Sequence, residues 1–163
     1  MRSALLLACL LLSGCIFGNI SSAERLRDSV IELNDQARWA RIDLAIAQVA
    51  PSLRREYRAT HRGWGHAIRV ADTEILGVEV GEDHDEATST VTVRWYSTDT
   101  MMLAETTLKQ KWRAAIGGYR LIEESVSDGD PRLLAEVPSS GGEDTDASAE
   151  EPTAQASADS SAI

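Results

Sequence analysis

At Gly63-Trp64-Gly65 the periodicity of this sequence changes, and the order of the two halves limits the folds open to it. Before that step, Leu26, Val30, Leu33, Ala37 and Ala40 follow at spacings of four, three, four and three, one apolar helical stripe. Ser21 or Ser22 supplies an N-cap, and Glu24 falls in the first turn, where the helix dipole favours an acid. Asp43, just ahead of Leu44, Ile46 and Val49, is the expected cap of a second short helix. Pro51 stops that helix and opens a third through Leu53, Tyr57 and His61.

After the step the repeat is two. Ile68–Val80 reads as a strand bent near Gly77, followed by the polar loop Gly81–Glu86. Ala87–Tyr96 alternates, with Val91, Val93 and Trp95 on one side and Thr88, Thr90, Thr92 and Arg94 on the other. In the next strand Met102, Ala104, Thr106, Leu108 and Trp112 share a face, opposed by Glu105, Lys109, Lys111 and Arg113. Gly117-Gly118 turns the chain into the last strand, Tyr119–Val126. Helices followed by strands predict an α+β domain over residues 23–137, its N-terminal helices packed on the apolar face of a curved four-stranded antiparallel sheet. Apolar residues make up 43% of the chain, enough for such a core.

Three short stretches carry a family likeness: Arg41-Ile42-Asp43-Leu44-Ala45, Gln110-Lys111-Trp112-Arg113 and Gly117-Gly118-Tyr119-Arg120-Leu121. With the element order, they resemble the nuclear transport factor two-like superfamily, the cone-shaped fold shared with ketosteroid isomerase and polyketide cyclases. The resemblance spans the whole predicted domain and implies a cone closed by helices at one side. Enzymes, small-molecule binders and assembly modules share that fold, so it does not specify an activity.

The two ends have a different character. Met1-Arg2-Ser3 and the apolar run Ala4–Leu12 form a charged and a hydrophobic region too short to span a bilayer. Leu12-Ser13-Gly14-Cys15 resembles the lipobox of bacterial lipoproteins. That resemblance implies a signal peptide over residues 1–14, acylation of Cys15, and anchoring in a membrane of the cell envelope. Ile16 after the cysteine favours the periplasmic face of the outer membrane. Residues 15–22 are then a tether, and seven residues reach at most about 25 Å. Residues 138–163 are almost all Ser, Ala, Gly, Thr, Asp and Glu, with six acids and no base, and are expected to be a disordered acidic tail.

The chain carries 16 basic and 26 acidic residues, a net charge of −10, which excludes a general nucleic-acid binder. Setting aside Arg2 and the six tail acids leaves 15 basic against 20 acidic residues. Against that balance, Arg54, Arg55, Arg58 and Arg62 stand out as a basic helical face suited to an anionic lipid surface. Trp39, Tyr57, Trp64, Trp95 and Trp112 are the large side chains available to line a pocket in the cone.

The interior faces as assigned carry no Asp, Glu or His. A catalytic reading therefore rests on Asp43 paired with His61. His61 and His66 have no metal-ligand spacing, the His84 loop lacks a calcium-loop pattern, and no cofactor fingerprint is present. The expected function is a lipid-anchored, non-enzymatic binding or assembly module for an envelope protein or an apolar small molecule. The alternatives are an isomerase- or cyclase-like enzyme and a purely structural lipoprotein. The threonine-rich sheet exterior is the expected surface for a homodimer.

Overall fold

A capping box opens the first helix: Ser21 Oγ accepts from the Glu24 amide at 3.2 Å, and the Glu24 carboxylate accepts from the Ser21 amide at 2.8 Å. From there α1 runs Ser22–Arg38. The computed structural model describes residues 21–135; the leader, Cys15 and the acidic tail lie outside the described residues. Leu26, Val30, Leu33 and Ala37 form its buried stripe as the spacing predicts. Ala40 is not on it, because the helix ends at Arg38 and Ala40 takes a left-handed φ of 57°.

A four-residue helix α2 (Ile42–Ala45) and a 3-10 turn (Ile46–Gln48) follow. Asp43 does not cap α2. Arg41 occupies the cap position without a side-chain bond, and Asp43 lies inside the first turn. Leu44 faces solvent and Ala45 is buried instead. Helix α3 spans Arg54–Thr60. Gly65 then brings the helical half against the sheet. It adopts φ +84°, and a Cβ there would lie 2.4 Å from that of Ala40, so only glycine fits.

The sheet is an antiparallel meander in the order β1 (Ile68–Val80), β2 (Glu86–Ser97), β3 (Leu103–Ala115), β4 (Gly118–Gly129), closed by a 3-10 turn at Pro131–Leu134. Helices cover one face, giving the α+β arrangement that the two periodicities predict. Val91, Val93, Trp95, Leu108 and Trp112 point inward, and the Thr88–Arg94 side points out. Met102 is an exception: it precedes β3 and is exposed.

Four residues bulge out of register. Ala71 and Leu76 interrupt β1 against β2, the second beside the expected bend at Gly77. Ile122 and Ser127 interrupt β4 against β3. Each insertion reverses which side chains face the core beyond it. The outer edge of β4 is itself partly covered, because Val49 bridges Leu121 and the Ala50 amide donates to the Leu121 carbonyl at 2.9 Å.

Candidate functional site: a buried carboxylate–imidazole pair

Beyond the Ile122 bulge, Glu123 pairs with Lys111 on the outside, and Glu124 pairs with Gln110 on the inside. Glu124 is therefore an interior acid, which the expected strand faces did not contain. Its side chain is 7% exposed. Oε2 lies 3.3 Å from His61 Nε2, and Oε1 accepts from Gln110 Nε2 at 2.9 Å.

His61 is held from three sides. It caps the C-terminus of α3, its ring stacks on Tyr57 at 3.9 Å, and Trp64 meets it at 4.5 Å in a tilted contact. Nδ1 is 2.9 Å from the Tyr57 carbonyl, which only accepts, and 3.0 Å from Thr60 Oγ1; the carbonyl favours a proton on that nitrogen. Nε2 then either accepts a proton from a neutral Glu124 or donates to its carboxylate as imidazolium. Desolvation decides between them. It raises the Glu124 carboxyl to about 7 against the lowering pull of Gln110, and drives the His61 imidazole down to about 3. Both shifts favour the uncharged form of each partner inside the fold. Burial and the nearby Glu124 charge also push the Tyr57 phenol well above its ordinary value.

The pair ends a polar chain through the core. Trp112 Nε1 donates to Ser89 Oγ at 2.9 Å, and Ser89 Oγ donates to Gln110 Oε1 at 2.9 Å. Gln110 Nε2 also donates to Asn34 Oδ1 at 3.1 Å, and Asn34 Nδ2 returns a bond to Gln110 Oε1 at 3.2 Å. Trp95 Nε1 donates to Thr106 Oγ1 at 3.0 Å, and Trp64 Nε1 to the Leu133 carbonyl at 3.0 Å. Three of the five expected pocket-lining aromatics thus hang on hydrogen bonds as core.

Tyr57, Trp64, Trp95 and Trp112 fill the cone. Trp39 does not line it: it caps α1, is 63% exposed, and has the Arg38 guanidinium over its ring at 5.5 Å. Beside Glu124 there remains a space of about 20 Å³, walled by Leu53, Glu56, Tyr57, Thr60 and Leu134, with room for about one water. A wider depression of about 310 Å³ lies outside, over Trp64 and His61, rimmed by Asp43, Arg58, Arg62 and His66. Another, of about 260 Å³, opens among Glu79, Glu86, Ala87, Lys111 and Trp112, away from the pair, so Trp112 lines it as well as packing in the core.

Asp43 and His61 line the same outer depression but do not pair with each other. The Asp43 side chain is 91% exposed and meets Arg58 at 3.4 Å, whereas His61 is 1% exposed and faces Glu124. Of the four arginines, Arg54 turns back to donate to the Val49 carbonyl at 3.1 Å, while Arg55, Arg58 and Arg62 stay exposed. On the sheet exterior the threonine row shares its face with charge: Arg94 meets Glu105 at 2.9 Å, Glu74 at 3.3 Å and Asp72 at 3.4 Å.

Sequence reasoning missed Glu124, although a signal was present. Leu121 and Val126 are both apolar and five residues apart, an odd interval that a regular strand cannot place on one face. Moreover Glu123-Glu124 are adjacent, so one of the two acids must point inward.

Helices on one face of a four-stranded antiparallel meander, with the space between filled by aromatic side chains, make an α+β fold. No protein-family model matches the chain, and no curated protein matches it. A ketosteroid isomerase-like protein from Erwinia carotovora atroseptica has a similar structure, with 14% identity, 66% of this chain and 98% of that chain covered, and a TM-score of 0.52. A protein of unknown function with a cystatin-like fold from Nostoc punctiforme is also similar (15% identity, 66% and 90% covered, TM-score 0.43). The Erwinia likeness carries the fold and, at that identity, nothing of the chemistry.

Proposed function

We propose that this chain is a lipid-anchored protein of the cell envelope whose cone serves as a non-enzymatic binding or assembly module. One observation carries the module reading: the interior is occupied by Tyr57, Trp64, Trp95 and Trp112, leaving beside the buried pair a cavity of about 20 Å³. A small-molecule site is ordinarily on the order of 300–1,000 Å³. Partners then meet the outer surfaces rather than the centre. Support for the anchor is the Leu12-Ser13-Gly14-Cys15 motif, with the outer membrane as the expected destination. Among the described residues no helix is long and apolar enough to cross a membrane.

A second reading, an enzyme that transfers protons on a small apolar substrate, is favoured by Glu124 and His61. Burial raises the Glu124 carboxyl to about 7, and its Oε2 lies 3.3 Å from the His61 imidazole, as a general acid–base pair requires. In that reading Glu124 takes the place of Asp43, and α3 must lift to admit the substrate.

One experiment separates the two. The native protein is crosslinked in its own membrane, captured, and its bound proteins and small molecules identified by mass spectrometry. A recurrent envelope protein with no stoichiometric small molecule is the expected result. A stoichiometric apolar molecule that is lost in Glu124→Gln replaces the first reading by the second. The anchor has its own check: Cys15→Ser should move the protein from the membrane to the soluble fraction, and retention in the membrane overturns it.

A further inference from the structure

One end of the sheet carries an apolar run that the fold leaves uncovered. Met101, Met102 and Leu103 are 69%, 73% and 68% exposed, and among the described residues no other large apolar side chains are exposed in succession. They form the returning half of the β2–β3 turn. The outgoing half, Thr98-Asp99-Thr100, is polar and is tied to the start of β1: the Ala67 carbonyl accepts from the Thr98 amide at 2.9 Å and from its hydroxyl at 3.3 Å. The Met101 amide closes the turn on the Ser97 carbonyl at 2.8 Å, and Met101 takes a left-handed φ of 56°, unusual for so large a residue. With its polar half tied down, the turn projects its apolar half as a tip.

The surface behind the tip is layered by polarity. Leu103, Tyr96 and Arg69 are direct cross-strand partners in β3, β2 and β1, so their side chains share one row on the outer face. Tyr96 is half-buried in that row and Arg69 is exposed. His66, also exposed, adjoins Ala67 and rims a depression with Arg62. The acids of the next row, Asp72 and Glu105, are already met by Arg94, and Asp99 is the acid of the turn itself. At the opposite end of the sheet the β1–β2 loop instead gathers Glu82, Asp83, Asp85 and Glu86. An apolar tip backed by a phenol and then by guanidinium groups matches the layers of an anionic bilayer: acyl boundary, interface, phosphates. A bilayer also receives a projecting tip without a matching cavity, whereas a protein surface must supply one.

We propose that Met101, Met102 and Leu103 form a membrane-contact tip that enters an anionic lipid surface shallowly, with Tyr96 and Arg69 at the headgroups. This goes beyond the module reading and does not depend on acylation of Cys15. Such a tip holds less firmly than one acyl chain, whose hold is itself marginal, so it orients the domain on a membrane rather than retaining it there through fractionation.

The test uses the full-length chain with Cys9→Ser and Cys15→Ser, so that its outcome is separate from that of the anchor. A single new cysteine carries an environment-sensitive fluorophore, at Met102→Cys in one chain and at Ile116→Cys in the other. Ile116, 98% exposed, marks the β3–β4 turn at the opposite end of the sheet. That turn packs on α1, where the Tyr119 amide donates to Ser29 Oγ at 3.1 Å, so adsorption through the N-terminal leader brings Ile116 to lipid first. On vesicles of equal parts phosphatidylcholine and phosphatidylglycerol, the fluorophore at Met102 should shift to the blue and be quenched by brominated acyl chains. The one at Ile116 should do neither. Adding M101S and L103S to the Met102→Cys chain should raise the lipid concentration at half-maximal shift by about tenfold. Arg69→Gln should weaken the shift on the mixed vesicles and leave it unchanged on phosphatidylcholine alone. An unshifted fluorophore at Met102 overturns the proposal and leaves a groove on a partner protein as the occupant. Equal shifts at both turns overturn it too, because they report adsorption without a preferred face.

Discussion

Strands β2 and β4 belong to one sheet and face the same helices, yet only one obeys a simple rule. Along β2 each inward residue, Ala87, Ser89, Val91, Val93 and Trp95, is at most 5% exposed and no residue is inserted against β3; on the outward side only Thr92 is also buried. Along β4 the insertions at Ile122 and Ser127 reverse the parity twice, and between them Glu124 enters the core. A ladder without insertions transmits hydrophobic pattern directly into burial. A bulge uncouples the two, and here the uncoupled position holds the one interior carboxylate among the described residues.

The largest effect should come from the regular side. Trp112 is fully buried in β3 and tied to Ser89 of β2, so Trp112→Ala removes both volume and a buried hydrogen bond. A loss of about 3–5 kcal/mol in urea unfolding is expected. Trp39→Ala, at the exposed end of α1, should cost no more than about 0.5 kcal/mol. A Trp112 loss as small as that at Trp39 would mean that the inward face of β2 and β3 is not the core.

The irregular side should show itself in pH. Glu124 is held up at about 7 from its ordinary 4.5, so the unfolded chain loses that proton first and stability falls as pH rises from 4.5 to 7. His61 is held down at about 3 from 6.5, so stability rises with pH across that interval. The two slopes cancel between pH 4.5 and 6.5. The expected curve is a plateau there, a loss of about 2 kcal/mol on going down to pH 3, and one below about 1 kcal/mol on going up to pH 7. Glu124→Gln keeps the Gln110 contact and removes the opposing slope, so its stability should climb throughout pH 4.5–6.5. His61→Asn should tilt the same interval the other way. Parallel curves for all three proteins would show that the pair does not titrate inside the fold.

The end of β4 gives an effect of intermediate size. Gly129, just past the Ser127 bulge, adopts φ +88°, and a Cβ there would lie 2.3 Å from the Glu105 carbonyl oxygen. Gly129→Ala should destabilise by roughly 1–3 kcal/mol. Gly77→Ala on β1 meets nothing within 4 Å and serves as the control.

The same contrast explains what the sequence made legible. The serine N-cap, the α1 stripe, the strand order and the inward face of β2 follow from spacing alone, because each depends on neighbours close in sequence. Asp43 as a cap, Leu44 as core and Trp39 as pocket wall fail because helices this short or ending this early have no stripe to enforce a face. His61 is recognisable as a candidate, but its partner is set 63 residues later by a single inserted residue in β4. Position along the chain does not reveal that contact; the odd Leu121–Val126 interval does.

The smallest effect should lie on the outside of β2, where regular alternation places Arg94 among Asp72, Glu74 and Glu105. These groups are exposed, so water already solvates each charge, and the contacts add little net stability. Arg94→Ala should shift the urea midpoint only slightly, and less still in 1 M salt. The comparison with Glu124 is then one of burial alone, since both sites join a carboxylate to a nitrogen base across neighbouring elements. A large, concentration-dependent shift at Arg94 would instead mean that the outer face is dry in solution. A second copy stacked on the threonine row accounts for that result, and sedimentation of the Arg94→Ala variant would show the dimer lost.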